Sequence, residues 1–404
     1  MSGLDHRAPE LPVQFESRKR DHIVQALQPR NQSTEAAGLD SLQLVHEALP
    51  ELDFSEISLE TPLFGQVSGR LRIEKTPFYV AGMTAGHPDA PQLNRTLALA
   101  CAERGWAMGV GSQRRELEDP ASAKIDQWKS IRAEAPGLSL IANLGLSQLI
   151  RTPLDQVRRL TDSIEAQAIA IHLNVLQEAL QMEGTPEFRG GLEAIQKLCR
   201  ATSVPVVLKE TGCGFSASTL ERLAQVLAGT ELLAIDVSGV GGTHWGRIEG
   251  ARSQDRLTAA SGASVSEQWQ RAAELSARAA ETFANWGMTT WQSVAAAGRV
   301  RSAAQARRGK ESRIWEVWAS GGMRSGLDAA KMIALGAHRV GFAKPALEAA
   351  LTSPQALRDW MEQQEFELKV ALFCTGSKNP AVLRETGPIV GSPLVLNGPP
   401  AAGR

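Results

Sequence analysis

Eight short stretches decide the fold: FYVAGMT (78–84), AMGVGSQR (107–114), LSLIANLG (138–145), AIAIHLN (168–174), PVVLKETG (205–212), LLAIDVSGVGG (232–242), IWEVWASGGMR (314–324) and HRVGFAKP (338–345). Each is an apolar run that stops at polar or glycine-rich residues. A run of this kind reads as a strand buried on both faces, with chemistry placed at its C-terminal end. Between the runs the spacing predicts helices over 91–104, 120–134, 154–165, 189–200, 216–228, 267–286, 325–336 and 345–365. Strand alternating with helix implies parallel βαβ units, and eight of them in roughly 290 residues match a (β/α)8 TIM barrel. A doubly wound sheet is the structural rival. Glycine patterns on strands seven and eight favour the barrel.

The expected architecture is therefore α/β: a barrel over 77–366, an N-terminal arm with helices and a small β element over 1–76, and a C-terminal tail over 367–404. Helices are also expected within 18–30 and 37–50. Long loops are expected after strand six (239–266) and before strand seven (286–312), and long loops in a compact fold often bind ligand.

A chain of 404 residues with 43% hydrophobic content is long enough for one large core. Lys and Arg number 43 against 44 Asp and Glu, so no basic field points to nucleic acid or an anionic membrane. Cys101, Cys199, Cys213 and Cys374 form no C-x-x-C pair. With no apolar leader segment and no run of 18 apolar residues, a cytoplasmic location is expected.

The strand ends carry the chemistry. ASGGMRSGLDAAK sets Gly321, Gly322, Met323 and Arg324 between strand seven and a helix, where backbone N–H groups and a helix N-terminus favour an anion. In TIM barrels the loops after strands seven and eight commonly bind phosphate, and GFAKPAL with Ala343 and Lys344 would complete that grip. The loop after strand six adds Ser238 and Thr243. Lys209 closes the apolar run of strand five. It reads as a Schiff-base amine, as a charge balancing an anion, or as half of a surface pair with Glu210, depending on strand register. On strand four, period two sets His172 and Asn174 on one face, with Gln177 and Glu178 just beyond; a carboxylate among amides suits a hard cation with phosphate ligands. Strand three offers Asn143. Strand two offers Ser112, Gln113 and Arg114, the arginine able to clamp a phosphate. Strand one offers Met83 and Thr84. RKRDH (18–22) is a basic run near the N-terminus. A phosphate grip, a lysine and several amides in one pocket fit flavin mononucleotide (FMN), with a second anion site for a phosphorylated substrate.

Together RKRDH, GMT, GVGSQR, HLNVLQE, KETGCG, GGTHW, WGMTT, ASGGMRSGLDAAK and GFAKP resemble the type 2 isopentenyl-diphosphate Δ-isomerases, over residues 18 to about 376. The resemblance implies an FMN-dependent barrel that interconverts isopentenyl and dimethylallyl diphosphate with reduced flavin, Mg²⁺ and NADPH as reductant, in isoprenoid precursor biosynthesis. Position by position, it implies that Arg18, Lys19, Ser112, Gln113, Arg114 and Gln177 bind the diphosphate substrate. Met83, Thr84, Ala85, Ser112, Asn143, Lys209, Ser238, Thr243, Gly321, Gly322, Met323, Arg324, Ala343 and Lys344 would bind FMN. Glu178 would hold the metal, and Gln177, His172 and Asn174 would serve the chemistry. It also implies a homo-oligomer, with no nucleic-acid or membrane partner. Three positions depart from the family pattern: Ala85 where a glycine is usual, Thr185 where a carboxylate is usual, and His244 where a serine is usual.

Three other functions compete. A flavin-dependent 2-hydroxy-acid oxidase needs a late His base, and the only late histidine, His338, begins strand eight. An IMP-dehydrogenase-like enzyme needs a cysteine after strand six, and 238–266 has none. The third is a flavin-binding homologue without isomerase activity, or one acting on another phosphorylated substrate.

Overall fold

The computed structural model of the protein describes residues 22–34, 37–62, 73–83, 90–119, 123–259, 266–308, 314–387 and 389–390. All eight expected strands form. They are β1 (Phe78–Val80), β2 (Ala107–Gly109), β3 (Leu140–Gly145), β4 (Ala168–Leu173), β5 (Val206–Glu210), β6 (Leu232–Asp236), β7 (Glu316–Ala319) and β8 (Arg339–Phe342). All pair in parallel, in the order β7-β8-β1-β2-β3-β4-β5-β6, and β6 returns to β7 to close a barrel. The expected TIM barrel is the observed fold.

Its helices include α1 (Ala90–Arg104), α2 (Val175–Leu180), α3 (Trp245–Ala259), α4 (Glu267–Thr282), α5 (Thr290–Arg308), α6 (Gly326–Ala334), α7 (Lys344–Thr352), α8 (Pro354–Cys374) and α9 (Pro380–Thr386). Serine or asparagine side chains accept the first free N–H groups of several: Ser266 for α4, Ser325 for α6, Ser353 for α8 and Asn379 for α9.

Four local expectations are corrected. The connection after β6 is long, yet most of it is α3, and most of the connection before β7 is α5. The α3 sequence hides this because it buries charge: Glu249 and Arg252 are buried in it, so no apolar stripe shows. Residues 37–50 form no α-helix. They hold a 3-10 turn, Leu39–Ser41, and a strand, Gln43–Leu44, paired with Ile389–Val390. Residues 367–387, expected as a tail, are mostly packed helix, with Leu368, Leu372 and Leu383 buried.

Two cores result. The larger lies between strands and helices; there Phe78, Trp106, Phe342 and Trp360 pack tilted or edge to face, with centroids of contacting pairs 4.8–5.8 Å apart. The smaller fills the barrel. Its members are mostly small (Ala107, Ala168, Ala170, Ala234) or aliphatic, with Tyr79 and Trp318 as the only bulky rings. Their centroids are 5.1 Å apart. Gly341 on β8 makes room for them. It pairs with Tyr79, and a Cβ there would lie 2.2 Å from Tyr79 Cζ. Beneath them Arg339, fully buried, sits over the Trp318 ring at 5.6 Å and pairs with Glu316 at 3.5 Å.

Gly341→Ala should therefore destabilise the barrel by about 1–3 kcal/mol, the usual range for overpacking. Gly137→Ala is the control, because its Cβ meets nothing within 4 Å. Urea unfolding midpoints measure both, and an unshifted midpoint for Gly341→Ala would mean that the Tyr79 ring simply moves aside.

Candidate active site

The C-terminal ends of the strands open into a cavity of about 480 Å³. That volume lies in the ordinary range for a small-molecule site. Its floor is a buried ionic cluster. Asp236, the last residue of β6, is 1% exposed. It accepts from Tyr79 Oη at 2.7 Å, Ser320 Oγ at 2.7 Å and Lys209 Nζ at 3.0 Å. Lys209 Nζ also donates to Ser320 Oγ at 3.2 Å. The register sets this up, since Lys209 on β5 pairs directly with Asp236 on β6. Lys209 thus faces inward and lines the cavity. Its neighbour Glu210 turns the other way, and its carboxylate accepts the backbone N–H groups of Thr211 at 2.6 Å, Gly212 at 2.7 Å and Cys213. Burial pushes the Glu210 carboxyl up to about 7, against the pull of those three N–H donors. A surface Lys209–Glu210 pair is therefore not what forms.

One wall is made of glycine backbone. Gly321 and Gly322 adopt φ +94° and +79°. A Cβ on them would lie 2.3 Å from Gly239 O and 2.4 Å from Gly241 O respectively. The loops after β6 and β7 therefore touch backbone to backbone, which only glycine permits. Arg324 Nη2 donates to Gly241 O at 3.2 Å and locks the two loops together. Ser238, also on this wall, is a non-glycine held at φ +35°, a strained conformation of the kind that clusters at functional sites. Met323, Ala343 and Lys344 line the same side, where α6 and α7 begin.

The opposite wall is polar. His172 Nδ1 lies 2.8 Å from Asn143 Oδ1, while Asn143 Nδ2 donates to Val110 O at 3.0 Å. The amide is thereby oriented, and the ring proton sits on Nδ1. Asn174 Nδ2 donates to Gln177 Oε1 at 3.2 Å and to Glu178 Oε1 at 3.0 Å. Gln177 Nε2 donates to Glu249 Oε1 at 3.0 Å, and His22 Nε2 donates to the same oxygen at 2.9 Å. Glu178 Oε2 accepts the backbone N–H of Thr185. Behind this row Glu249 pairs with Arg252, Arg252 with Glu183 at 2.7 Å, and Glu183 with Arg256 at 2.9 Å. Burial alone would raise both carboxyls, but Arg252 and His22 hold Glu249 well below the usual range, and Arg252 and Arg256 hold Glu183 at about 2.

The N-terminal segment closes one side. Gln32 bridges Thr243, with Thr243 Oγ1 donating to Gln32 Oε1 at 3.2 Å, and His22, Ile23, Ala26 and Gln32 line the cavity. Thus Met83, Ser112, Arg114, Asn143, His172, Asn174, Gln177, Glu178, Lys209, Ser238, Thr243, Gly321 to Arg324, Ala343 and Lys344 all meet around one space. Gln113 does not line it. Buried in the wall, its Oε1 accepts the Asn143 N–H at 3.1 Å and its Nε2 approaches Leu160 O at 3.5 Å. Arg18, Lys19, Thr84 and Ala85 lie outside the described residues. His338 sits at the other end of β8, where its Nδ1 accepts the Val317 N–H at 3.2 Å. The sequence reading missed Asp236, Tyr79 and Glu249. Asp236 carried a signal, an acid closing an apolar strand just as Lys209 does.

The Glu183 pairing has a measurable consequence. Its folded pKa is depressed from 4.5 to about 2, so its stabilisation is complete above roughly pH 4.5 and is lost as pH falls towards 2. Glu183→Gln should flatten the dependence of unfolding free energy on pH in that window and leave the neutral-pH slope alone. A wild-type slope at acid pH would show that the pairing contributes nothing.

Comparison with known proteins agrees with this geometry. Residues 173–387 match the FMN-dependent dehydrogenase family model. An isopentenyl-diphosphate delta-isomerase of Bdellovibrio bacteriovorus is 47% identical over 370 residues, covering 92% of this chain and 96% of that protein. One from Legionella pneumophila is 46% identical over 365 residues, covering 90% and 95%. Among solved structures, a mandelate oxidase variant with a monooxide FMN adduct superposes with a TM-score of 0.57 at 18% identity, covering 93% of this chain and 92% of that one. At that identity the likeness is one of fold. The extent and level of the sequence matches place the chain in the isopentenyl-diphosphate delta-isomerase family.

Proposed function

We propose that the protein interconverts isopentenyl and dimethylallyl diphosphate as a type 2 enzyme, using reduced FMN, Mg²⁺ and NADPH as the source of electrons. The observation that carries this reading is the division of one cavity into a glycine-walled half with a lysine floor and a polar half lined by the Glu178 carboxylate, in a chain of this family.

The residues present fit FMN. Gly321 and Gly322, packed backbone to backbone against Gly239 and Gly241, line the cavity without side chains. Arg324, Lys344 and the N-terminus of α6 favour its phosphate. Lys209, Asn143, Ser238 and Ser112 offer donors to the ring, with Met83 on the side of β1. They also fit Mg²⁺. Each Glu178 oxygen accepts one hydrogen bond and keeps a lone pair, and beside it the buried Asn174 Oδ1 has no hydrogen-bond partner. A magnesium ion commonly takes one or two carboxylates and completes its shell with water and phosphate oxygens.

Reduced FMN supplies an electron-rich ring face and an exchangeable proton at N5. The rest falls to side chains. Arg114, with Arg18 and Lys19 of the arm, would bind the diphosphate by its charge and fix its place while the alkene passes through a tertiary cation-like state. Glu178 holds the metal to the same end. Gln177, its amide oriented by Asn174 and Glu249, and His172, fixed by Asn143, face the alkene. Ile23, Ala26, Met83 and Trp245 exclude water, and the Trp245 π face suits developing positive charge. Oxidation of a 2-hydroxy acid is not favoured, because His338 lies away from the cavity. A cytoplasmic location and self-assembly belong to the same proposal; among the described residues no helix is long and apolar enough to cross a membrane.

Purified protein with FMN, Mg²⁺ and NADPH should convert isopentenyl to dimethylallyl diphosphate without oxygen, and should stop when the flavin is oxidised. Flavin-loaded protein without turnover would leave a binding homologue or an enzyme for another phosphorylated substrate. Glu178→Gln should cut turnover at least tenfold, on the order of the loss typical of a metal-site change, while flavin remains bound; undiminished turnover would remove Glu178 as the ligand.

A further inference from the structure

The floor of the cavity carries more than a flavin contact. Asp236 is buried and receives three donors, two of them neutral hydroxyls, Tyr79 Oη and Ser320 Oγ, and the third the ammonium of Lys209. A buried carboxylate with one neutral partner would be costly, and three charge-assisted or hydroxyl bonds make it tolerable. Lys209 in turn spends two N–H groups on Asp236 and Ser320, leaving its third for the cavity. The lysine is therefore aimed, and its charge is balanced from below. An ammonium so paired is not the free neutral amine that Schiff-base chemistry requires.

We infer that Asp236, braced by Tyr79 and Ser320, is a positioning residue that sets the direction and the net charge Lys209 presents to the flavin ring. This rests on the reading that FMN occupies the cavity with its N1–C2=O edge over Lys209. A lone ammonium in a dry site would press the reduced ring strongly towards its N1 anion. The Lys209–Asp236 pair acts instead as a dipole, and the anion is favoured less. Tyr79 is the only tyrosine of the chain. Burial, and then the Asp236 charge, keep its hydroxyl protonated far above its ordinary range, so it remains a donor to the carboxylate. Because Tyr79 and Lys209 share Asp236 Oδ2, the hydroxyl draws off part of the negative charge that Lys209 would otherwise meet.

The test is a pH titration of the spectrum of photoreduced, FMN-loaded protein, with the flavin midpoint potential measured alongside. Asp236→Asn removes the balancing charge. The N1–H pKa of the bound reduced flavin should fall by about 1–3 units, the shift a nearby unpaired cation imposes, and the midpoint potential should rise. Tyr79→Phe keeps the ring and the ion pair and removes one donor. The carboxylate then bears harder on Lys209, so the N1–H pKa should move up, by a smaller amount. General loosening of the floor would move both variants the same way, and that result, or two unchanged titrations, would overturn the inference. If Asp236→Asn fails to fold, an unchanged or lowered pKa in Tyr79→Phe overturns it alone. Wild-type protein that binds no FMN would end the flavin reading itself, a result distinguishable from flavin-loaded variants that titrate alike.

Discussion

A carboxylate inside a barrel cannot be left alone. Removing one partner from a buried ion pair typically costs about 3–5 kcal/mol. The burial of Asp236 therefore constrains every element around it. Lys209 must come from the neighbouring strand in direct register, Ser320 from the end of β7, and Tyr79 from β1 across the barrel. Tyr79 reaches the axis only because β8 presents Gly341 where any side chain would collide with its ring. Five of the eight strands are thus fixed in relative height by one acid. The remaining interior is mostly alanine and aliphatic, which suits a space already filled by two large rings.

A second buried carboxylate organises the other half. Glu249 receives His22 from the N-terminal segment and Gln177 from α2, and pairs with Arg252 one turn further along its own helix. Arg252 continues to Glu183, which follows α2 and precedes Thr185, whose N–H holds Glu178. One charged chain therefore ties three separate segments of sequence into the polar wall. The two halves share a logic: a buried acid is satisfied by groups from several elements, and those groups acquire a fixed direction towards the cavity.

That logic explains what could be read from the sequence. Strand ends were legible because a strand buried on both faces must be an apolar run, and its polar terminus then stands out, as at Lys209, Asn143 and His172. Asp236 stood out no less, but the glycine-rich residues beyond it drew the reading to the loop. Glu249 and Arg252 gave no periodic signal, because each is buried by virtue of the other and α3 shows no apolar stripe. Gln113 shows the limit of reading a strand end by position alone. It lies between Ser112 and Arg114, which both reach the cavity, yet its amide turns into the wall to satisfy the backbone of Asn143. Loop direction depends on which backbone groups need partners, and those lie thirty residues away.

The departures from the family pattern can be weighed on the same terms. His244 is buried but does not line the cavity. It stands just before α3, where its Nδ1 accepts the Arg247 N–H at 3.3 Å and its Nε2 approaches Trp286 O at 3.4 Å. Accepting an N–H at a helix start is what a serine does there. Burial lowers the His244 pKa and favours the neutral ring, the form able to accept that bond. Thr185 meets Glu178 through its backbone N–H, a group every residue but proline supplies. At Thr185 the bond runs through the backbone and is indifferent to the side chain, whereas at His244 the imidazole itself supplies the acceptor that a serine hydroxyl could supply. Neither residue lines the cavity, and both act on it only through neighbours that do, Glu178 for Thr185 and Thr243 and Trp245 for His244.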